Sequence, residues 1–235
     1  MYIYKKSLTV GKTTVEAQGF DMEKIEKALK DCNLKFLEKT FGLEEVDMLS
    51  ALDDWKAIAV NISDFERESL LHLRHLLDFN VHDWNEYELD SHFIGPVFAL
   101  VNFSSKKFNH YSQRFIKGEV GDYLLFGKPD GIVSAGRREP EIPYFAFQEY
   151  KRELDPDGDP AGQALAAMLV GQSFNTDSLL PVYGCYINGS IWKMIVLSGK
   201  EYTITDGFNA LTDDIFEIFK MLKALKEIVK VLTNA

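Results

Sequence analysis

The stretch from Gly127 to Gln163 constrains this chain more than any other. It contains Gly127-Lys-Pro-Asp-Gly-Ile-Val-Ser134, a polar Arg137-Arg-Glu-Pro-Glu141 turn, the aromatic run Tyr144-Phe-Ala-Phe-Gln-Glu-Tyr-Lys151, and Gly162-Gln163 opening a helix. Strand side chains alternate between faces, so Glu149 and Lys151 are expected on one face with Phe145 and Phe147 behind them. If the chain closes a hairpin over residues 135–142, Asp130 enters from the neighbouring strand. Two carboxylates and one amine then converge on one sheet edge.

Such a cluster suits a hard divalent cation, because carboxylates hold Mg²⁺ while leaving positions for water and phosphate. A lysine beside them can orient or deprotonate an attacking water, since its pKa responds strongly to burial and charge. Taken singly, Pro-Asp-Gly is an ordinary turn and Glu-x-Lys an ordinary solvated strand face. Order, spacing and apolar strands on both sides give them weight. Pro129-Asp130, then eighteen residues, then Glu149-Tyr150-Lys151 resembles the PD-(D/E)XK nuclease superfamily.

The resemblance implies an α/β chain with a restriction-endonuclease-like αβββαβ core, its central mixed sheet flanked by helices, over about residues 83–190. It implies metal-dependent phosphodiester hydrolysis of nucleic acid, DNA foremost. Asp130, Glu149 and Glu86 would hold Mg²⁺ or Mn²⁺, with the Tyr150 carbonyl as a further ligand. Lys151 would serve the attacking water and Gln163 would position it.

Glu86 falls in a helix expected from Asp83 to about Val101, with Leu89, Phe93, Val97 and Leu100 inward. It lies three residues before Leu89 and seven before Phe93, which turns it toward the sheet; Glu88, on the face of His92, is the reserve. Asp83-x-x-Glu86 also spells a capping box, which by itself would account for Glu86. Further on, Asp159 caps a helix with Pro160 in its first position, running to about Phe174, and Gln163 sits in its first turns. A glutamine there resembles the extra motif of the RecB-like branch, although Ala167 stands where that branch usually has tyrosine. The plain alternative is an exposed helix-start glutamine.

The net charge of −10 argues against a surface that grips duplex DNA through many phosphates. One segment runs the other way: residues 104–152 hold nine Lys/Arg (106, 107, 114, 117, 128, 137, 138, 151, 152) against six Asp/Glu. That segment surrounds the candidate site, though lysines on strand edges also serve simply to discourage edge pairing. Cys32 and Cys185 lack metal-ligand spacing, and His72, His75, His82 and His92 form no paired-ligand motif, so a reduced, cytoplasmic protein is expected. No apolar run approaches the roughly 18 residues of a membrane span.

The 235 residues allow one large domain or a domain with an added lobe. The expected division is an N-terminal α+β extension over 1–80 and a nuclease-like domain over 81–235 with a C-terminal hairpin and helix. The extension would be a substrate lobe, a protein-partner surface or an oligomer contact. Within it, hairpin strands are expected at 2–10 and 12–18, a helix at 21–38, a strand at 57–62, and a capping box at Ser63–Glu66. Two strands are expected within 107–127, a turn at Asp155–Pro160, a hairpin about Asn188-Gly189, a strand at 201–205 and a final helix capped by Thr212. Besides a nuclease, two classes stay open: a catalytically inactive nuclease-fold binding or regulatory module, and a structural protein assembling through residues 1–80.

Overall fold

The computed structural model describes residues 7–10, 13–16, 24–153, 158–175 and 180–234. Strands β1 (Ser7–Val10) and β2 (Thr13–Glu16) pair antiparallel. The remaining ends of that expected hairpin lie outside the described residues, as do residues 155–157 of the expected 155–160 turn. Next come β3 (Ile25–Ala28), α1 (Leu34–Phe41), β4 (Glu44–Glu45), α2 (Ser50–Ala57) and α3 (Asp64–Asn80). A continuous helical stretch follows: α4 (Glu86–Leu89), a π-helical turn (Asp90–Ile94) and α5 (Gly95–Val101). Then β5 (Phe108–Ser112), β6 (Ile116–Val120), β7 (Tyr123–Gly127), β8 (Gly131–Ala135) and β9 (Glu141–Lys151) lead into α6 (Pro160–Phe174). The chain ends with β10 (Val182–Asn188), β11 (Ile191–Ser198), β12 (Glu201–Ile204), β13 (Phe208–Asn209) and α7 (Asp214–Thr233).

The architecture is α/β with a large mixed sheet flanked by helices. Its strand order is β4-β12-β11-β10-β9-β8-β5, with β13 beside β11. Only β9/β10 and β4/β12 run parallel; the other pairs are antiparallel. A second sheet, β3-β7-β6, has three strands. Helix α6 is apolar on every side, as a helix buried between layers must be, and Ala161 through Gly171 are all buried. It meets β9 and β10 on one side and β6 on the other. The opposite face of the large sheet carries the second core, where Trp55, Phe93, Trp192 and Phe219 are almost fully buried.

Small residues set the distance between α6 and the sheet. A Cβ added at Gly171 would stand 2.4 Å from Phe147 Cε2. Gly171→Ala is therefore expected to destabilise the fold by about 1–3 kcal/mol, as overpacked cores generally are. Thermal unfolding checks this, since about 2–4 °C is lost per kcal/mol in a chain of this size.

Several local expectations are met. Ser63 and Glu66 form the capping box of α3, Asp159 accepts from Gly162 N–H at 3.0 Å to cap α6, and Asn188 pairs with Ile191 across the hairpin. Others are corrected. The apolar spacing over 21–38 is not one helix: Ile25–Ala28 is a strand paired with β7, and Asn33 caps a separate α1 that Gly42 ends. Residues 58–63 form no strand, because Ile58, Val60 and Ile62 pack on the core without a ladder partner. Segment 107–127 holds three strands, two of them in the smaller sheet. Thr212 receives the Asp214 N–H at 3.2 Å, but α7 begins only at Asp214.

Residues 25–80 share both cores with the rest of the chain. Strand β4 extends the large sheet beside β12, Leu29 and Leu37 pack with α6, and Trp55 donates its indole N–H to the Met221 carbonyl at 2.7 Å.

Candidate active site

Strands β8 and β9 run antiparallel, Gly131 facing Gln148, which brings Asp130 to the end of β9. Gly131 has a steric reason: a Cβ there would lie 1.8 Å from Gln148 Oε1. Beyond it β8 has ended, and Asp130 takes the place of a strand neighbour. Its Oδ2 accepts the Tyr150 N–H at 2.8 Å, and its Oδ1 accepts from the Gln113 side-chain amide. The Gln113 N–H also donates to the Asp130 carbonyl, at 3.1 Å.

The two sides of β9 divide as alternation requires near its end but not throughout. Gly189 N–H reaches the Lys151 carbonyl, so the backbone of residue 151 faces β10 and that of Tyr150 faces Asp130. The Tyr150 carbonyl is thereby turned toward Asp130, while its ring is buried in the far core. Phe145 departs from expectation. The register shifts between Val133 and Ala135, so Phe145 and Ala146 both join the far core while Phe147 packs with α6. Phe147 alone stands behind Glu149.

Lys151 Nζ donates to Glu149 Oε1 at 3.0 Å, and both side chains are nearly buried. Lys151 Nζ also lies 3.5 Å from Glu86 Oε1, whose side chain is 46% exposed at the rim. The capping expectation for Glu86 is wrong. Asp83 and Trp84 still donate to the Asn80 carbonyl, closing the turn after α3, so Asp83 cannot open the next helix. Asn85 does, in a reciprocal box with Glu88 at 3.0 and 2.9 Å. That engages Glu88, the reserve, in the cap and leaves Glu86 free to face the lysine.

Gln163 is 7% exposed, not the solvent-facing glutamine of the plain alternative. With Glu149 it lines a cavity of about 370 Å³ that Lys30, Phe115, Phe126 and Lys128 also border. Gln113, Phe115 and Lys30 escaped the sequence reading because they lie in unremarkable segments. Lys128, next to Pro129, entered only as part of a charge count.

The electrostatics follow from crowding. Burial, and then the Asp130 charge, push the Glu149 carboxyl up to about 8, against the pull of Lys151. Burial raises Asp130 to about 6 although Tyr150 N–H and Lys151 favour its charged form. For Lys151, burial disfavours the charge, but Glu149, Glu86 and Asp130 together outweigh it and hold the ammonium above its ordinary range. The two carboxyls titrate as a pair, because each feels the other's charge.

These donors suit a hard divalent ion: they are oxygens only, and their mutual repulsion in a buried spot is what a dication relieves. As the side chains stand, no three His, Cys, Asp or Glu among the described residues converge tightly enough to hold a metal. Both Asp130 oxygens and one Glu149 oxygen are already engaged, so an ion would have to exchange with these partners.

A scan against models of known protein families matches none of them, and no curated protein matches the chain.

Proposed function

We propose that this chain is a metal-dependent phosphodiesterase acting on nucleic acid, with a restriction-endonuclease-like core. The observation that carries the reading is the half-buried Asp130, bonded to the Tyr150 N–H, beside the buried Glu149 with the Lys151 ammonium 3.0 Å from it. The fold reading is supported by element order: the α4–α5 stretch, β5, β8, β9, α6 and parallel β10 follow the αβββαβ sequence, with β6 and β7 as an excursion. The buried free thiols of Cys32 and Cys185 suit a reducing, cytoplasmic setting. Among the described residues no helix is long and apolar enough to cross a membrane.

Asp130 and Glu149 would hold Mg²⁺ or Mn²⁺, with Glu86 at the rim and the Tyr150 carbonyl on the same side. Bound there, the ion supplies charge neutralisation at the phosphate and a more acidic water. Lys151 stays protonated, so it serves the nucleophile as a hydrogen-bond donor rather than by taking its proton. The Gln163 amide, on the cavity wall, orients the water or a phosphate oxygen. A bond forms from water oxygen to phosphorus as the ester P–O bond breaks; the attacking water gives up a proton to solvent and the departing oxygen takes one from solvent, leaving a phosphomonoester and a hydroxyl.

The test is a panel of single-stranded, duplex and branched DNA and RNA with several divalent ions. Cleavage with Mg²⁺ or Mn²⁺ that chelation abolishes is the expected result; an inert panel removes the hydrolase reading. The net charge of −10 favours a second reading, a nuclease-fold binding module without turnover. Mn²⁺ titration separates the two, since an ion held between Asp130 and Glu149 supports the enzyme.

A further inference from the structure

The cavity beside Glu149 has chemistry that hydrolysis alone does not explain. Phe115 is 58% exposed at its border and Phe126 is half-buried there, while Lys30 and Lys128 lie exposed on the same border. Among the described residues neither lysine forms an ion pair. Phe115 follows Gln113 by two residues, and Gln113 is tied to Asp130 through both backbone and side chain. The aromatic surface is therefore anchored to the carboxylates rather than set on an independent loop. Aromatic rings interleaved with unpaired cations are the pattern that binds single strands, because every base has a face to stack and every phosphate a charge to meet. Bases held in an intact duplex cannot enter such a recess unless they leave the stack.

We propose that this cavity receives one unpaired nucleotide of the substrate strand, its base against Phe115 and Phe126 and its phosphate toward Lys128 and Lys30. The substrate is then single-stranded or locally unpaired nucleic acid. This rests on the phosphodiesterase reading only for the word substrate; the binding itself does not require turnover.

The experiment measures fluorescence anisotropy of the full chain with a labelled oligonucleotide, single-stranded or annealed to its complement, in chelator so that no cleavage intervenes. The single strand is expected to bind about tenfold or more tightly than the duplex, and Phe115→Ala to weaken single-strand binding by about tenfold, as loss of one stacked base does. Lys128→Ala should lower the slope of log affinity against log salt by about 1. Equal affinity for the two forms, or an undiminished Phe115→Ala, overturns the proposal. Because Phe115 is exposed, an unchanged melting temperature separates lost stacking from lost fold. Cleavage assays keep the two readings apart: F115A-sensitive single-strand binding without cleavage supports the pocket and sinks the hydrolase. Duplex cleavage indifferent to F115A does the opposite.

Discussion

Lys151→Ala is expected to lower divalent-dependent cleavage by about a hundredfold or more, the usual cost of removing a positioned group that serves the transition state. The substitution removes the ammonium 3.0 Å from Glu149 and 3.5 Å from Glu86, which leaves these two carboxyls facing the space it vacates. Stability should suffer as well, but unevenly with pH. Without the lysine, Glu149 and Asp130 hold their protons to higher pH in the folded chain than in the wild type, while the unfolded chain ionises as before. The penalty therefore grows with pH, and the melting temperature should drop further at pH 8 than at pH 6. Cleavage by this variant at the wild-type rate would remove the assigned mechanism whatever the melting curves show.

Glu149→Gln is expected to lower activity and to flatten the pH dependence of stability. In the folded chain the Glu149 carboxyl keeps its proton up to about pH 8, whereas in the unfolded chain it ionises near its ordinary 4.5. Between those values the folded state binds more protons than the unfolded state. Its contribution to stability therefore falls as pH rises from about 5 to 8. Asp130, raised to about 6, adds to the fall at the lower end of that window. The glutamine variant has no such proton to lose, so its melting temperature should vary less across the window. Relative to the wild type it should therefore fare better at pH 8 than at pH 5. Cleavage should fall by about a hundredfold or more, because a neutral amide holds a cation poorly and leaves the Lys151 ammonium less well oriented. In the wild type, saturating Mn²⁺ should flatten the pH dependence, since the dication displaces the same protons. Differential scanning calorimetry from pH 5 to 8, with and without Mn²⁺, decides this. A wild type whose stability rises with pH over that window would contradict the burial argument.

What could be read along the chain, and what could not, divides by the range of the interaction. The capping box of Ser63, the N-cap of Asp159 and the turn at Asn188-Gly189 are written within a few residues, and they form as read. The strand Ile25–Ala28 could not be read, because its partner is Tyr123–Phe126, about a hundred residues away, and its apolar spacing suits a helix equally well. The capping box expected at Asp83 forms at Asn85 instead. The turn that closes on the Asn80 carbonyl selected Asn85 and so released Glu86 toward Lys151.

The candidate site shows the same division. Identity and spacing alone determined that Asp130, Glu149 and Lys151 could meet, since a hairpin with alternating side chains brings them to one end of a sheet. Only the folded chain decided that Gln113 holds Asp130, that Phe145 turns away at the bulge, and that Gln163 is buried beside Glu149 with Phe115 and Lys128 along the same recess. Local hydrogen bonding and side-chain alternation act over a few residues and can be read in order. Burial, charge crowding and cavity walls arise where distant segments pack, and no stretch of sequence carries them by itself.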